Sequence, residues 1–320
     1  MKTIAILAPG QMGASIGAHI LRASRGRVQV VTTLHDRSQR TRQLAANAGI
    51  TDLKSYEAVV AQADMVMSIL PPSHAESLAQ ATAEAIHQAR HNSRARTFID
   101  LNAISPETSI RISRLFDKVS GVTYVDGGII GGPATNDYSP KIVLSGPDAA
   151  QVAKELCPSM LANVQAVGTD IGQASALKLS YATLAKGLIA LAINAGLLAE
   201  QHGVLGELQK ELQDSYPAGA QALVNKVPRN VAKMDWYAPS QMDLDVRSQF
   251  SRILGEMDEI SSAFANVGLD GGSKALKGIS ETYSMVADSQ VGSESIEDAL
   301  ARGRTFEEVL KALSTGLRRS

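Results

Sequence analysis

Hydrophobic and polar positions follow two different patterns along the chain. In the first half, short apolar runs typical of buried strands alternate with segments that have the repeat of amphipathic helices. Strands are predicted near residues 2–7, 28–34, 64–69, 97–101, 122–126 and 141–145, and helices near 11–23, 37–48, 73–90 and 106–116. This alternation predicts a parallel, doubly wound α/β sheet.

A glycine-containing turn follows the first predicted strand directly. Residues 8–13 read Ala-Pro-Gly-Gln-Met-Gly, and a helical pattern begins as they end. A strand, a tight turn of small residues and a helix N-terminus together suit the pyrophosphate of a dinucleotide, because the backbone approaches closely and its N–H groups face the charge. Ala8 replaces the first glycine of the GxGxxG pattern. On this motif alone an ordinary glycine-containing turn therefore stays open as an alternative.

The second predicted strand ends in a polar cluster where such folds read the adenosine ribose. Asp36 suits the free 2′-hydroxyl of NAD, whereas Arg37, Ser38 and Arg40 suit the 2′-phosphate of NADP. The two signals conflict, and a solvated turn with ordinary polar residues is a third possibility. The arginines favour NADP, with NAD as the alternative.

Strand signals vanish from Gly172 onward, and the remaining sequence is helical with interruptions at glycine and proline. The chain is therefore predicted to consist of a Rossmann-type NAD(P)-binding domain over residues 1–168. An all-α substrate and dimerisation domain is predicted over residues 169–320.

Composition narrows the class of protein. The chain has 320 residues, of which 44% are hydrophobic and 20% charged, and its formal net charge is −1. Lysine and arginine are spread along the chain, which argues against a nucleic-acid partner. The single cysteine excludes an intramolecular disulfide, and no histidine or cysteine spacing predicts a metal site. The chain begins with a strand, so we expect no signal peptide and a cytoplasmic location.

The segment over residues 174–199 is apolar on nearly all faces, which predicts a helix buried on every side. Lys178 and Lys186 are its only charges, and Lys186 leaves just the 13 residues 187–199 before Glu200. That run is too short to span a bilayer, so no membrane partner is expected. Lys178 lies just past the predicted domain junction, which favours a functional role; Lys186 is interpreted as an ordinary solvent-reaching lysine.

Five motifs in order resemble the β-hydroxyacid dehydrogenases, relatives of 3-hydroxyisobutyrate and 6-phosphogluconate dehydrogenases. They are the 8–13 turn, the Ile-Leu-Pro strand end at 69–71, Asp-Leu-Asn-Ala-Ile-Ser-Pro at 100–106, Asp-Gly-Gly-Ile-Ile-Gly-Gly at 126–132, and Lys178. The C-terminal half is more similar to an uncharacterised branch with a phosphogluconate-dehydrogenase-like C-terminal domain. The resemblance covers essentially the whole chain.

The resemblance implies a site for the cofactor. It places Gly10, Gln11 and Met12 on the pyrophosphate, with Ala8 at the start of the same turn. Leu70 and Pro71 lie beside the ribose in this comparison. Asn102 is implied to lie near the nicotinamide.

The resemblance also implies a substrate site and a proton carrier. Gly131 and Gly132 are expected to present backbone N–H groups to the substrate beside Ile130. Lys178 takes the place of the family's essential lysine, which exchanges a proton with the substrate hydroxyl as the general acid/base. Tyr181 or Asn102 is expected to assist.

Three positions depart from the family pattern. Ile130 stands where the family has serine, Ala182 where it has asparagine, and Gly255 where it has lysine. Hydrogen-bonding groups for a short hydroxy acid are therefore missing. A larger or less polar carbonyl compound fits Ile130 better.

The leading hypothesis is an NAD(P)-dependent oxidoreductase that acts on CH–OH and C=O groups of a small molecule. The same scaffold also suits reduction of a C=N bond, since hydride transfer to an imine needs the same cofactor geometry. A non-catalytic dinucleotide-binding protein is the third hypothesis, favoured by the altered substrate motif and opposed by the retained Lys178. A homodimer is implied by the resemblance.

Overall fold

The computed structural model describes residues 1–89, 93–157, 161, 163–217, 219–233, 247–294 and 296–317. The chain forms two compact units, Met1–Tyr181 and Ala182–Ser320. The division falls inside a long helix and after Lys178, so this lysine belongs to the first unit. The boundary proposed from the sequence at residue 168 stays a prediction.

The first unit contains one eight-stranded sheet with the order β3-β2-β1-β4-β5-β6-β7-β8. Its strands are β1 (Lys2–Leu7), β2 (Val28–Thr32), β3 (Thr51–Asp52), β4 (Met65–Ser68), β5 (Thr97–Asp100), β6 (Thr123–Ile130), β7 (Lys141–Ser145) and β8 (Val164–Gly168). The doubly wound Rossmann-type fold is confirmed. The sequence pattern did not predict β3, which has only two residues, or the edge strand β8.

One pair of strands departs from the predicted parallel arrangement. β6 and β7 pair antiparallel, with Asp126 opposite Ser145 and Ile130 opposite Lys141. Only residues 131–140 connect them, and a parallel crossover needs about a dozen residues or more. β6 also continues beyond its predicted end, because Gly127 and Gly128 pair with β7.

Helices cover both faces of the sheet. They are α1 (Gln11–Ser24), α2 (Gln39–Asn47), α3 (Tyr56–Gln62), α4 (Ala75–Ala89), α5 (Pro106–Phe116) and α6 (Ala149–Leu156), followed by the start of α7 (Gln173–Gln201). Ile16 and Ile20 of α1 are buried on one face, and Phe98, Phe116 and Tyr124 stack together on the other. The two cores hold the carboxyl ends of the strands in a fixed arrangement.

The second unit is helical throughout its described residues. It contains the rest of α7 with α8 (Leu205–Ser215), α9 (Ala220–Lys233), α10 (Arg247–Asn266), α11 (Asp270–Ala287), α12 (Ile296–Arg302) and α13 (Phe306–Leu317). Its core includes Ile193, Leu197, Tyr283 and Leu310. Gly196 lets α13 approach α7, since a Cβ there would lie 2.5 Å from a methyl group of Leu310.

The expectation that α7 is buried on every side is wrong. Leu184, Leu188, Leu191 and Leu198 are 66%, 52%, 62% and 62% exposed. With Leu177 and Tyr181 they form the α7 stripe, whose members follow one another at intervals of three, four or seven residues and therefore share one face of the helix. Composition shows how apolar a helix is, but it does not show which faces have neighbours.

By length and composition, α7 is the one helix among the described residues that is able to cross a membrane. Its most apolar window has a mean hydropathy of 1.7 and is 44% buried. Lys186 lies in the middle of this helix and is paired inside the second unit, as described below.

Candidate cofactor and substrate site

The β1–α1 turn forms a narrow backbone bend at the carboxyl edge of the sheet. Ala8 has a φ of +53°, and the Gly10 N–H donates a 2.7 Å hydrogen bond to the Ala8 carbonyl. A Cβ added to Gly13 would lie 3.2 Å from Ile6 Cγ2, so this glycine allows α1 to pack on β1. A Cβ on Gly10 would meet no atom within 4 Å. Open space therefore lies in front of Gly10, at the N-terminus of α1.

The N-terminus of α1 suits an anionic group. Gly10 is the N-cap residue, and the first turn contains no acidic residue. Gln11 is exposed, whereas Met12 is 9% exposed and anchors the turn in the core. Unpaired N–H groups and the positive end of the helix dipole attract phosphate at such a position. The residues present therefore fit the pyrophosphate of a dinucleotide.

The polar cluster after β2 lies at the same edge of the sheet. Asp36 has a φ of +55°, its side chain is 84% exposed, and its Oδ2 lies 2.8 Å from His35 Nδ1. Ser38 caps α2, with its Oγ accepting a 3.1 Å hydrogen bond from the Thr41 N–H. Arg37 is half-buried and Arg40 exposed. The Asp36 carboxylate is therefore surrounded by solvent and paired with a histidine.

Asn102 holds the ends of β4 and β5 together. Its Oδ1 accepts a 2.7 Å hydrogen bond from the Leu70 N–H, and its Nδ2 donates a 2.8 Å bond to Ser68 Oγ. The side chain is 2% exposed. Leu70 and Pro71, beside it, are half-buried. Oδ1 and one Nδ2–H of Asn102 thus hold the two strand ends together.

Two buried carboxyl groups lie side by side on neighbouring strands. Asp100 of β5 pairs in register with Asp126 of β6. Asp100 Oδ1 accepts a 2.9 Å bond from the Asn102 N–H, and its buried Oδ2 has no hydrogen-bond partner among the described residues. Burial, with the Asp126 carboxylate nearby, raises the pKa of Asp100 to about 7.

Asp126 is saturated with hydrogen bonds from three other elements. Its Oδ1 accepts bonds from Ser109 Oγ (2.8 Å) and Ser175 Oγ (2.5 Å). Its Oδ2 accepts bonds from Ser145 Oγ (2.8 Å) and from the N–H groups of Gly172 and Ser175 (both 3.0 Å). The carboxylate thus joins β6 to α5, to β7 and to the first turn of α7. Sequence reasoning missed this role, although the unusual Asp-Gly-Gly run marks the place.

Lys178 lies directly on β6. A Cβ added to Gly128 would lie 2.8 Å from Lys178 Cβ, so only glycine allows the helix to come this close. Residues 126, 128 and 130 share one face of the strand, because side chains alternate along β structure. Ile130 and Lys178 therefore occupy the same side of β6, and both are half-buried.

The connection after β6 places Tyr138 next to Gly131. Gly131 has a φ of +125°, and a Cβ there would lie 2.0 Å from the Tyr138 hydroxyl oxygen. The Ala134 N–H donates a 3.0 Å hydrogen bond to Ser15 Oγ, which anchors the connection to α1. Gly131 and Gly132 are exposed.

The two other polar candidates on α7 differ from Lys178. Tyr181 is 51% exposed and belongs to the α7 stripe. Lys186 Nζ lies 2.5 Å from Glu256 Oε2, and the two side chains are 16% and 8% exposed. Lys186 therefore has an ion-pair partner inside the second unit, and does not reach into solvent alone as interpreted from the sequence. No group of three or more metal-ligating side chains occurs in the described part of the chain.

The predicted site residues of the first unit lie at one edge of the sheet. They come from the carboxyl ends of five neighbouring strands, in the spatial order β2-β1-β4-β5-β6. Ligands of open α/β sheets bind outside this edge. Lys178 joins the edge through its contact with β6.

Comparison with known proteins agrees with this geometry. The family model described as the NAD binding domain of 6-phosphogluconate dehydrogenase matches residues 3–168. Among solved structures, a conserved hypothetical protein from Sinorhizobium meliloti is 23% identical, with a TM-score of 0.68 over 98% of this chain and 96% of that chain.

Two enzymes of named activity share the fold. 3-Hydroxyisobutyrate dehydrogenase from Mycobacterium tuberculosis, solved with L-serine, is 20% identical, with a TM-score of 0.63 over 95% of this chain and 100% of that chain. An imine reductase from Streptomyces aurantiacus is 17% identical, with a TM-score of 0.53 and the same two coverages. At these identities the likeness shows the fold alone.

Proposed function

Because the chain belongs to the family of the NAD binding domain of 6-phosphogluconate dehydrogenase, we propose that it is an NAD(P)-dependent oxidoreductase that interconverts a carbonyl compound and its alcohol. The observation that carries this proposal is the placement of Lys178. Its Cβ would lie 2.8 Å from a Cβ on Gly128, on the face of β6 that leads to Ile130 and the exposed glycines. This contact supports a role for Lys178 as the proton donor at the carboxyl edge where the dinucleotide fits.

Lys178 acts as the general acid/base in this proposal. Its ammonium group donates a proton to the substrate oxygen during reduction, and the neutral amine accepts that proton during oxidation. The nicotinamide supplies or accepts the hydride when it is bound. Gly131 and Gly132 orient the substrate through backbone N–H groups, and Asn102 keeps the β4 and β5 ends in place. Tyr181, half-exposed and three residues from Lys178, is the candidate assistant on the helix.

Ile130 argues for a substrate with an apolar group next to its carbonyl carbon. It occupies the face of β6 that carries Lys178, and an apolar side chain there leaves a carboxylate without a hydrogen-bond donor. We therefore propose a neutral ketone or aldehyde as substrate class.

Reduction of a C=N bond is the second candidate function. The likeness to an imine reductase supports this function at the level of the fold. Lys178 argues against it and favours a carbonyl substrate, because an iminium substrate carries a positive charge that the lysine ammonium group repels. A non-catalytic dinucleotide-binding protein would keep the turn at Gly10 without needing Lys178.

One assay separates these three functions. NADPH and NADH oxidation is measured with three sets of substrates: short and long keto acids, neutral ketones and aldehydes, and cyclic imines. Preferred turnover of neutral carbonyl compounds supports the proposal. Preferred turnover of imines favours the second candidate, and cofactor binding without turnover on any substrate favours the third.

We further propose that NADP is the preferred cofactor and that the protein acts as a cytoplasmic homodimer. The solvent-exposed Asp36 and the neighbouring Arg37 and Arg40 support the first proposal. The α7 stripe supports the second, because it carries no charge to match a polar partner, and a second copy presents an identical apolar face.

A further inference from the structure

The first turn of α7 is bound to β6 by a single buried carboxylate. Asp126 is 0% exposed and accepts the backbone N–H groups of Gly172 and Ser175, as well as Ser175 Oγ. Ser145 Oγ, another donor to Asp126, accepts a 2.9 Å hydrogen bond from the Ala174 N–H. Three backbone N–H groups at this helix start, those of Gly172, Ala174 and Ser175, therefore depend on Asp126 directly or through Ser145.

The residue spacing along β6 and along α7 links the attachment at Asp126 to the position of Lys178. Ser175 and Lys178 are three residues apart and lie on one face of α7, while Asp126 and Gly128 are two apart and lie on one face of β6. The Ser175 contact with Asp126 and the Lys178 contact with Gly128 are consecutive contacts along the same two elements. Where the first contact is fixed, the position of the second follows.

Capping the N-terminus of α7 would not by itself require an acceptor from another element. An ordinary N-cap residue is a serine, threonine, aspartate or asparagine adjacent in sequence, which accepts an N–H from its own helix. Here the acceptor comes from a strand 46 residues away from Gly172, so it fixes where the helix lies relative to the sheet. Oriented N–H donors and a buried charge make such a bond strong and directional.

We propose that Asp126 is a positioning residue that sets the register of α7 on β6 and so places the Lys178 ammonium group at the substrate. This inference rests on the proposed function of Lys178. In this proposal Asp126 touches neither substrate nor cofactor, but the placement of the proton donor Lys178 depends on it.

Two serines provide a matched pair of variants. Ser175→Ala and Ser109→Ala each remove one hydroxyl donor to Asp126 Oδ1, the first on α7 and the second on α5. Asp126→Asn removes the charge while keeping the shape. Ser175→Ala keeps the test decisive if Asp126→Asn fails to fold.

The first measurement needs no substrate. Acetylation of Lys178 by N-hydroxysulfosuccinimide acetate is followed by mass spectrometry, with the exposed Lys118 as internal reference. Ser175→Ala and Asp126→Asn are expected to change the relative rate at Lys178 at least threefold, and Ser109→Ala to leave it unchanged. Equal changes in the two serine variants, or no change in folded Ser175→Ala, would overturn the proposal.

The second measurement uses the carbonyl compound turned over fastest by the wild type. Ser175→Ala is expected to lower kcat about tenfold, with KM and the NADPH Kd within twofold, because an acid/base group contributes roughly 10²–10⁴-fold in total. A lower kcat in Ser109→Ala of the same size contradicts the proposal. If Lys178 proves dispensable for turnover, the proposed function fails, while the acetylation result still decides whether Asp126 positions the lysine.

Discussion

At the scale of single residues, the cofactor choice depends on the direction of one carboxylate. Asp36 is turned to solvent, and its Oδ2 lies 2.8 Å from His35 Nδ1. A dianionic 2′-phosphate is attracted by guanidinium groups through charge-assisted hydrogen bonds. Arg37 and Arg40 flank the N-terminus of α2, which adds the positive end of a helix dipole.

Arg37→Ala is therefore expected to weaken NADP binding by roughly 1.5–3 kcal/mol, the scale of a hydrogen bond to a charged group. NAD binding should change little, because NAD lacks the 2′-phosphate. Fluorescence titration of NADPH and NADH against wild type and variant gives both constants. Equal weakening of the two cofactors would show that Arg37 does not read the phosphate.

Ile130 tests the proposed substrate class at the same scale. Ile130→Ser introduces the serine hydroxyl expected from the family that the sequence resembles. The variant is expected to raise kcat/KM for short hydroxy acids relative to long or neutral substrates. A change of roughly 10-fold or more corresponds to a new hydrogen bond in the transition state. An unchanged ratio of kcat/KM values would mean that Ile130 does not face the substrate.

Asp100 makes stability depend on pH. Its pKa is raised to about 7 by burial, whereas an unfolded aspartate has a pKa of about 3.9. Between about pH 4 and pH 7 the unfolded chain has lost a proton that folded Asp100 keeps. The contribution of Asp100 to the free energy of unfolding is therefore fully present below about pH 4 and is lost as the pH rises through 7. The full difference is on the order of 4 kcal/mol.

Asp100→Asn should remove this loss, because the amide cannot ionise. Urea unfolding at pH 5, 6, 7 and 8 is expected to show wild-type stability falling relative to the variant from pH 5 to 7 and levelling off by pH 8. Parallel curves for the two proteins would show that Asp100 is not the responsible group.

At the scale of elements, strong local patterns were predictable and long-range ones were not. The ranges of β1 and α5 match their predictions because a buried apolar run and a Ser-Pro start are local signals. The antiparallel β7 was missed because strand direction depends on the connection and not on the strand itself. The role of Asp126 was missed for the same reason, since its partners lie on three other elements.

The α7 stripe gives an element-scale prediction. Replacing Leu188 and Leu191 together by glutamine is expected to weaken self-association by roughly a hundredfold or more, since each partly exposed leucine contributes about 1 kcal/mol per copy when covered. Light scattering after size exclusion should show the wild type near twice 33.8 kDa. Leu300→Gln, which alters an exposed leucine outside the stripe, is the control.

A monomeric wild type at micromolar concentration would contradict this use of the stripe. So would a double variant that stays dimeric. A loss of association in Leu300→Gln of the same size would show a general effect of surface polarity.

At the scale of the whole molecule, the fold brings residues from five strand ends to one edge and adds a lysine from α7. The glycine turn, Asn102, the 126–132 run and Lys178 are far apart in the sequence, and resemblance to a family indicated that they belong together. The residues that hold the edge in place, Asp100 and Asp126, could not be assigned without the structure, because nothing in their sequence neighbourhood shows their partners.

The most direct test of the account is to delete the Lys178 ammonium group while keeping its packing. Lys178→Met preserves an unbranched apolar stem against Gly128, so α7 should stay in register and NADPH should bind with wild-type affinity. Turnover of the best carbonyl substrate is predicted to fall roughly 10²–10⁴-fold. A folded Lys178→Met variant that binds NADPH and keeps wild-type kcat would contradict the assignment of Lys178 as the general acid/base.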